Sequence, residues 1–317
     1  MPMREIVVCG EALVDVVEQR APDAPNDGTL APLRPVLGGG PFNTAITLGR
    51  LGSAVSLLSA VSTDTYGDAI VGALQSAGVG TSLLQRRPEP TSLALATIGD
   101  DGSARYTFYV EGTADRRVAD PGGLPPTVRA VTFGTLSLVL EPGASAYEAL
   151  MRRCHDEGRL VVLDPNIRAA VIDDADAYRR RFRRWLPFVD VLKLSDEDAA
   201  WLGEGAAGSS ASQWLEEGVA AVVTTCGSAG ISVTTPDREI TVPACAVEVA
   251  DTIGAGDSVL GGIVHQLDRL GALSPDSVRA LDISRWRDVA EFAAQVAAIT
   301  VSRPGADPPW ASELRSG

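Results

Sequence analysis

Short β-branched runs alternate with helix-length patterns along most of this 317-residue chain, and that rhythm limits its fold more than any other feature. A run near Ile6 precedes a helical pattern over 42–51, and a run over 55–58 precedes another over 66–77. Runs near Val131, Val161, Val191 and Val222 are then separated by helical patterns over 147–157, 178–185, 197–202 and 210–217. Repeated strand–helix units predict a parallel sheet covered by helices on both faces. Two stretches, 13–36 and 91–109, break the rhythm and read as antiparallel additions, the second around a Gly99-Asp-Asp-Gly102 turn. Ligands of open α/β sheets bind beyond the carboxyl ends of the strands, so a small sheet there would act as a lid; an ordinary edge hairpin fits the same pattern. The Pro/Gly-rich patches over 21–28 and 121–126 have the length of loops rather than linkers.

Composition excludes several function classes. With 41 acidic and 27 basic side chains the formal net charge is −14, which disfavours nucleic acid as a partner. Lys193 is the chain's sole lysine, so no Gly-x-x-x-x-Gly-Lys-Ser/Thr phosphate loop exists and a nucleotide must be held another way. Cys9, Cys154, Cys226 and Cys245 are far apart, which suggests neither a zinc site nor a disulfide framework and fits a reducing cytoplasm. The first ten residues lack the apolar region and cleavage site of a signal peptide, and no apolar stretch approaches membrane-spanning length. His155 and His265 have no evident metal partner.

The richest segment is Asp251-Thr-Ile-Gly-Ala-Gly-Asp257, which follows an alternating apolar run over 246–250, read as a strand, and opens an apolar helix near Ser258. Glycines let backbone N–H groups approach a ligand, and a helix start leaves N–H groups unpaired at the positive dipole end. A phosphate suits such a place. Asp257 is then either a general base beside that phosphate or a helix-capping residue. A second cluster, Gly38-Gly-Gly-Pro-Phe-Asn43, leads into the helix ending at Gly52; its amides and Asn43 suit the hydroxyls of a polyol, or simply punctuate a helix start. It lacks the third glycine of a dinucleotide fingerprint. Asp15, on the apolar run over 12–17, is either solvent-facing or paired with something specific such as a sugar hydroxyl. Asp164-Pro-Asn-Ile-Arg168 follows the apolar run over 160–163, so Arg168 falls at the ligand-bearing edge, as a phosphate contact or a surface ion pair. Thr225-Cys-Gly-Ser-Ala-Gly230 is a small-residue turn that could cradle a nucleotide.

These pieces, in this order, resemble the ribokinase-like, PfkB-type carbohydrate kinases over nearly the whole chain. Gly38-Gly-Gly-Pro-Phe-Asn-Thr-Ala45 and Asp251-Thr-Ile-Gly-Ala-Gly-Asp257 carry the resemblance, separated by about two hundred residues. It implies a three-layer αβα sandwich with a mostly parallel central sheet, a single kinase domain over 1–317, and a β-sheet lid formed by insertions about 11–36 and 91–115. A homodimer could form through that lid. By the resemblance Asp257 is the base that takes the sugar-hydroxyl proton, and Gly254, Ala255 and Gly256 form the anion hole. Asp15, Gly39, Gly40 and Asn43 match sugar-binding positions, with Tyr106 and Phe108 on the lid. Thr225, Gly227 and Gly230 match the nucleotide turn.

Lys193-Leu-Ser-Asp-Glu-Asp198 lies where the family has an Asn-x-x-Glu element that influences magnesium and phosphate, with Ser195 and Asp198 in place of Asn and Glu. Asp198 keeps a carboxylate there. Ile253, Val259 and Ala294 also depart from the frequent family residues. The C-terminal 301–306 segment resembles a nucleotide-side loop that in some members helps hold potassium.

Within the family, 164–168, 106–109 and Ala114-Asp115 look most like fructokinases, followed by 2-keto-3-deoxygluconate kinases, for which Arg105 could meet a carboxylate. The expected activity is transfer of a phosphoryl group from magnesium-ATP to a sugar hydroxyl. Two other classes stay open: a sugar-binding regulatory protein on the same fold, motivated by Ser195 and Asp198, and a nicotinamide-dependent oxidoreductase, disfavoured by the glycine spacing.

Overall fold

The computed structural model describes residues 4–19, 30–98, 104–203 and 210–314, with the backbone alone for 98, 104 and 105. The Gly99–Gly102 turn, the 21–28 loop, the first three residues and the Arg105 side chain therefore lie outside the described residues.

The chain begins with β1 (Glu5–Cys9), β2 (Leu13–Glu18), β3 (Leu33–Gly38) and α1 (Gly40–Arg50), then β4 (Val55–Ser62), α2 (Thr65–Ser76) and β5 (Leu84–Arg87). It continues through β6 (Leu93–Ile98), β7 (Ala104–Tyr109), β8 (Val128–Gly134), α3 (Gly143–Asp156), β9 (Leu160–Asp164) and α4 (Ala175–Trp185). There follow β10 (Val191–Ser195), α5 (Asp196–Gly203), α6 (Ala211–Glu216), β11 (Ala221–Thr225), β12 (Ile231–Thr234) and β13 (Glu239–Val242). The last helices are α7 (Ala255–Arg269), α8 (Pro275–Arg279) and α9 (Ile283–Val301).

Nine strands form one sheet in the order β13-β12-β11-β10-β9-β8-β1-β4-β5, parallel from β11 to β5 and antiparallel at β12 and β13. Helices cover both faces, so β4 is buried along its whole length and reads as a continuous apolar run instead of an alternating one. One core joins the sheet to α1, α2, α7, α8 and α9 through residues such as Phe42, Ile70, Ile263 and Trp286; the other joins it to α3 to α6 through Tyr147, Trp185, Leu202 and Trp214. This is the ribokinase-like α/β architecture.

The four remaining strands form a separate sheet, β3-β2-β6-β7, with β2 parallel to β6 and the outer pairs antiparallel. It leaves the main sheet at the carboxyl end of β1 and returns at the start of α1. Leu13 and Ala94 of this sheet pack on Leu136, with Phe108, Leu140 and Val171 around them, which seats the sheet over the loops that follow β8 and β9.

One expectation fails. The 246–250 run is not a strand: it joins neither sheet, and Val247 and Val249 are 41% and 59% exposed. β13 stops before Pro243, which has no N–H to continue a ladder, so the alternation beyond it has no core to face. Smaller shifts have local causes. α1 begins at Gly40 because Pro41 fits a first helical turn, and α2 begins after Asp64, whose carboxylate accepts the Gly67 N–H at 2.8 Å.

Candidate active site

Because β1, β8, β9, β10 and β11 run parallel, the loops that follow them emerge at one edge, and the start of α7 meets them there. Asp257 stands in the first turn of α7 and is only 8% exposed. Asn43 Nδ2, from α1, donates to its Oδ2 at 2.9 Å. Asn166 Nδ2, from the loop after β9, approaches Oδ1 at 3.4 Å, and Thr44 Oγ1 reaches the Asp257 carbonyl at 3.4 Å. Burial pushes the Asp257 carboxyl above its ordinary range; the Asn43 hydrogen bond opposes this most, followed by the charges of Lys193 and Arg168. The two glycine clusters of the sequence thus meet at one carboxylate.

Lys193 and Asp164, neighbours on β10 and β9, form a buried ion pair at 2.7 Å with side chains 4% and 5% exposed. Burial still raises Asp164 to about 6 against the pull of Lys193, and its Oδ1 is buried without a hydrogen-bond partner. The ammonium sits 3.0 Å from where a Cβ on Gly256 would stand, so a side chain at 256 would press on the lysine.

Arg168 Nη1 donates to Asn166 Oδ1 at 2.7 Å, and its charge acts on both Asp257 and Asp15. Asp15, on β2, is raised to about 6 by burial and then by the Asp257 charge, with Arg168 opposing. Its Oδ2 lies 1.9 Å from where a Cβ on Gly38 would be, so a side chain at 38 would displace the carboxylate. Gly39 has φ 105, and a Cβ on Gly40 would stand 2.7 Å from Thr135 Oγ1 and 3.2 Å from Asp257 Oδ1. Tyr106 and Phe108 stack on β7 with ring centroids 6.1 Å apart, and burial, followed by the Asp15 charge, raises the Tyr106 phenol.

At the start of α7, Gly254 has φ 74 and the Ala255 N–H turns back to the Thr252 carbonyl at 3.3 Å. The Asp251 carboxylate accepts from Ile253 N at 3.0 Å and Gly305 N at 2.8 Å, while Ala250 N donates to the Val301 carbonyl at 2.8 Å. These bonds fasten the 301–306 loop against the 250–254 turn. Further along the edge, Thr225 pairs in register with Ser195, and Gly227 and Gly230 both have positive φ. A Cβ on Gly230 would lie 2.0 Å from the Val242 carbonyl oxygen. Asp198 accepts the Ile167 N–H at 2.9 Å and the Ser195 N–H at 3.3 Å. Among the described residues no group of three or more His, Cys, Asp or Glu side chains converges as a metal cage, and no helix is long and apolar enough to cross a membrane.

Reading the sequence left out several members of this cluster. Asn166 is one, although an Asn between Pro and Ile at a strand end suits its observed φ of 40. Asp164, Thr44 and Glu11 are others; Glu11 lies two residues beyond the first strand and is 2% exposed, with Oε2 accepting from both the Ser137 N–H and hydroxyl.

A parallel sheet whose carboxyl edge joins a buried helix-start carboxylate to a hydroxyl-type glycine cluster defines the ribokinase-like carbohydrate kinases as a class. The model of the pfkB family carbohydrate kinases matches residues 3–313. A fructokinase of Rhizobium leguminosarum bv. trifolii is 38% identical over 288 residues, covering 89% of this chain and 86% of that protein. Fructokinase-2 of Zea mays is 29% identical over 86% of this chain and 81% of its own length. The crystal structure of a fructokinase with bound ATP from Xylella fastidiosa superposes with a TM-score of 0.85 at 26% identity, covering 95% of this chain and 93% of that one. The chain belongs to the pfkB family of carbohydrate kinases.

Proposed function

We infer that this kinase is an ATP-dependent fructokinase, with the small sheet closing as a lid over the sugar in a single domain spanning the chain. The observation that carries the reading is Asp257, buried at a helix start and held by Asn43 and Asn166. Fructose as the acceptor rests on the fructokinase relative at 38% identity. Asp15, Gly39, Gly40 and Asn43 would bind the sugar hydroxyls, with Tyr106 and Phe108 above them. Asp257 would take the proton of the attacking hydroxyl. The free amides of Gly254 and Gly256 would face the transferred phosphoryl group at the positive end of α7, and the Ala255 amide, already turned toward Thr252, would add less. Arg168 would counter the remaining charge.

Thr225, Gly227, Gly230, Ser195 and Lys193 would line the ATP side. Magnesium, bound with ATP, supplies neutralising charge on the phosphates. The donor set fits a cation held through phosphates and water: Asp198 spends both oxygens on backbone N–H groups and Asp164 shares one with Lys193, which leaves Asp198 an indirect role. The 301–306 loop, fastened to Asp251, is the place for a potassium ion held by carbonyls. The free cysteines suit a reducing cytoplasm, and exposed Leu33 and Tyr109, on the face of the small sheet opposite Asp15, suit a homodimer through the lid.

The test is ADP release with magnesium-ATP over fructose, ribose, glucose, 2-keto-3-deoxygluconate and nucleosides, each with and without potassium. Fructose should give the highest kcat/KM. A better rate with another acceptor would overturn the substrate and leave the kinase standing.

A further inference from the structure

Asp198 lies in the first turn of α5 and is 9% exposed. The Ser195 hydroxyl accepts the Asp198 N–H at 3.0 Å and Asp198 Oδ2 accepts the Ser195 N–H at 3.3 Å, a reciprocal capping box built with Asp. The other oxygen, Oδ1, leaves the helix entirely and accepts the N–H of Ile167 at 2.9 Å. Ile167 directly follows Asn166, which holds the left-handed φ of 40, a conformation that needs outside support in a side-chain-bearing residue. Asn166 is itself two-sided: Nδ2 points at Asp257 Oδ1 and Oδ1 receives Arg168. Whatever fixes the Ile167 peptide therefore fixes Asn166 against the base and Arg168 against Asn166.

We propose that Asp198 is a positioning residue: its carboxylate clamps the Ile167 N–H so that Asn166 stays aimed at Asp257 with Arg168 held on Asn166, and it acts on the reaction through this turn and not by ligating a cation. The inference rests on Asp257 being the base. A shorter Asp fits this task because the turn comes up against the first turn of α5, within reach of a single methylene. Of the other charged groups around the base, Lys193 lies on β10 with Ser195, whose N–H Asp198 also accepts, and Asp164 on β9 feels the Asp198 charge, while Asp15 on β2 feels Asp257 and Arg168.

The experiment compares Asp198→Ala, which leaves no acceptor, and Asp198→Glu with Leu202→Val, which loosens α5 from its core without touching the carboxylate. In the Asp198 variants the acid limb of kcat/KM should move up by about half a pH unit as Asn166 and Arg168 drift from Asp257. The magnesium concentration for half-maximal rate should stay within about twofold of the wild type. Hydrogen exchange over residues 165–168 should quicken in both Asp198 variants and stay unchanged in Leu202→Val. A folded Asp198 variant with the wild-type acid limb, or one whose magnesium requirement rises while the limb stays put, overturns the proposal. Should Asp198→Ala not fold, Asp198→Glu is read by the same criteria. If the wild type transfers phosphate to no sugar, the reading of the site fails instead, and hydrogen exchange alone decides the clamp: unchanged protection at Ile167 in either Asp198 variant overturns it.

Discussion

The Asn43 amide donates to Oδ2 of Asp257 at 2.9 Å, joining two segments 214 positions apart in sequence. Asn43 stabilises the ionised form of a carboxylate that burial pushes toward the protonated one. Asn43→Ala removes a hydrogen bond to a charged acceptor, worth about 1.5–3 kcal/mol, and should lower kcat/KM about 10- to 100-fold at neutral pH. A base works only when ionised, so its rate falls as pH drops through its pKa, and the variant's acid limb should lie at higher pH than the wild type's. Rates followed across the acid range check both the size and the direction.

Gly40 tests how closely the backbone must approach the base. A methyl there would stand 2.7 Å from Thr135 Oγ1 and 3.2 Å from both Asn166 Nδ2 and Asp257 Oδ1. Gly40→Ala should fold, since alanine favours a helix and Gly40 does not have a positive φ. Displacing the reacting groups by a fraction of an ångström should still cost about tenfold or more in kcat/KM. Thermal melting beside steady-state kinetics separates the two effects; an unaltered rate in a folded variant would mean the methyl is accommodated.

Glu11 gives a pH-dependent stability. Burial raises its carboxyl from 4.5 to about 7, and Oε1 has no hydrogen-bond partner. The folded state therefore holds a proton that the unfolded chain releases near 4.5, so the stabilising contribution is full below that value and is lost as pH rises through about 7. Glu11→Gln keeps an acceptor for Ser137 and never ionises. Its melting temperature relative to the wild type should rise steadily between those two pH values; a gap independent of pH would show that Glu11 does not titrate there.

Much of this molecule could be read from its residues because alternation and glycine punctuation are local signals. The βα rhythm set out the parallel sheet, and the breaks at 13–36 and 91–109 marked the strands of the small one. What escaped was set by tertiary context. The 246–250 run has strand-like alternation but follows Pro243 and finds no ladder, so it lies exposed. Ser195 and Asp198, read as departures from a family element, turn out to be a helix cap whose second oxygen crosses to another loop. Asn166 was hidden because its importance lies in a positive φ and in two partners that only folding supplies. The buried Lys193–Asp164 pair depends on the register of β9 beside β10, which no single segment encodes.

The 301–306 loop and Asp251 make potassium dependence a separable question. Asp251 receives Ile253 N and Gly305 N, which ties together the two segments that would be the walls of the proposed carbonyl site. Potassium should raise kcat, and Asp251→Ala should abolish the response by freeing both walls, read as ADP release in sodium against potassium buffers. Equal rates in the two salts for the wild type would remove the ion from the mechanism.

Steady-state ADP release by Asp257→Ala, with fructose and magnesium-ATP, probes the base itself. Turnover should fall roughly 10²- to 10⁴-fold while the KM values for sugar and ATP stay near those of the wild type. A folded variant that turns over within about threefold of the wild type would contradict the assignment of Asp257 as the group that takes the proton.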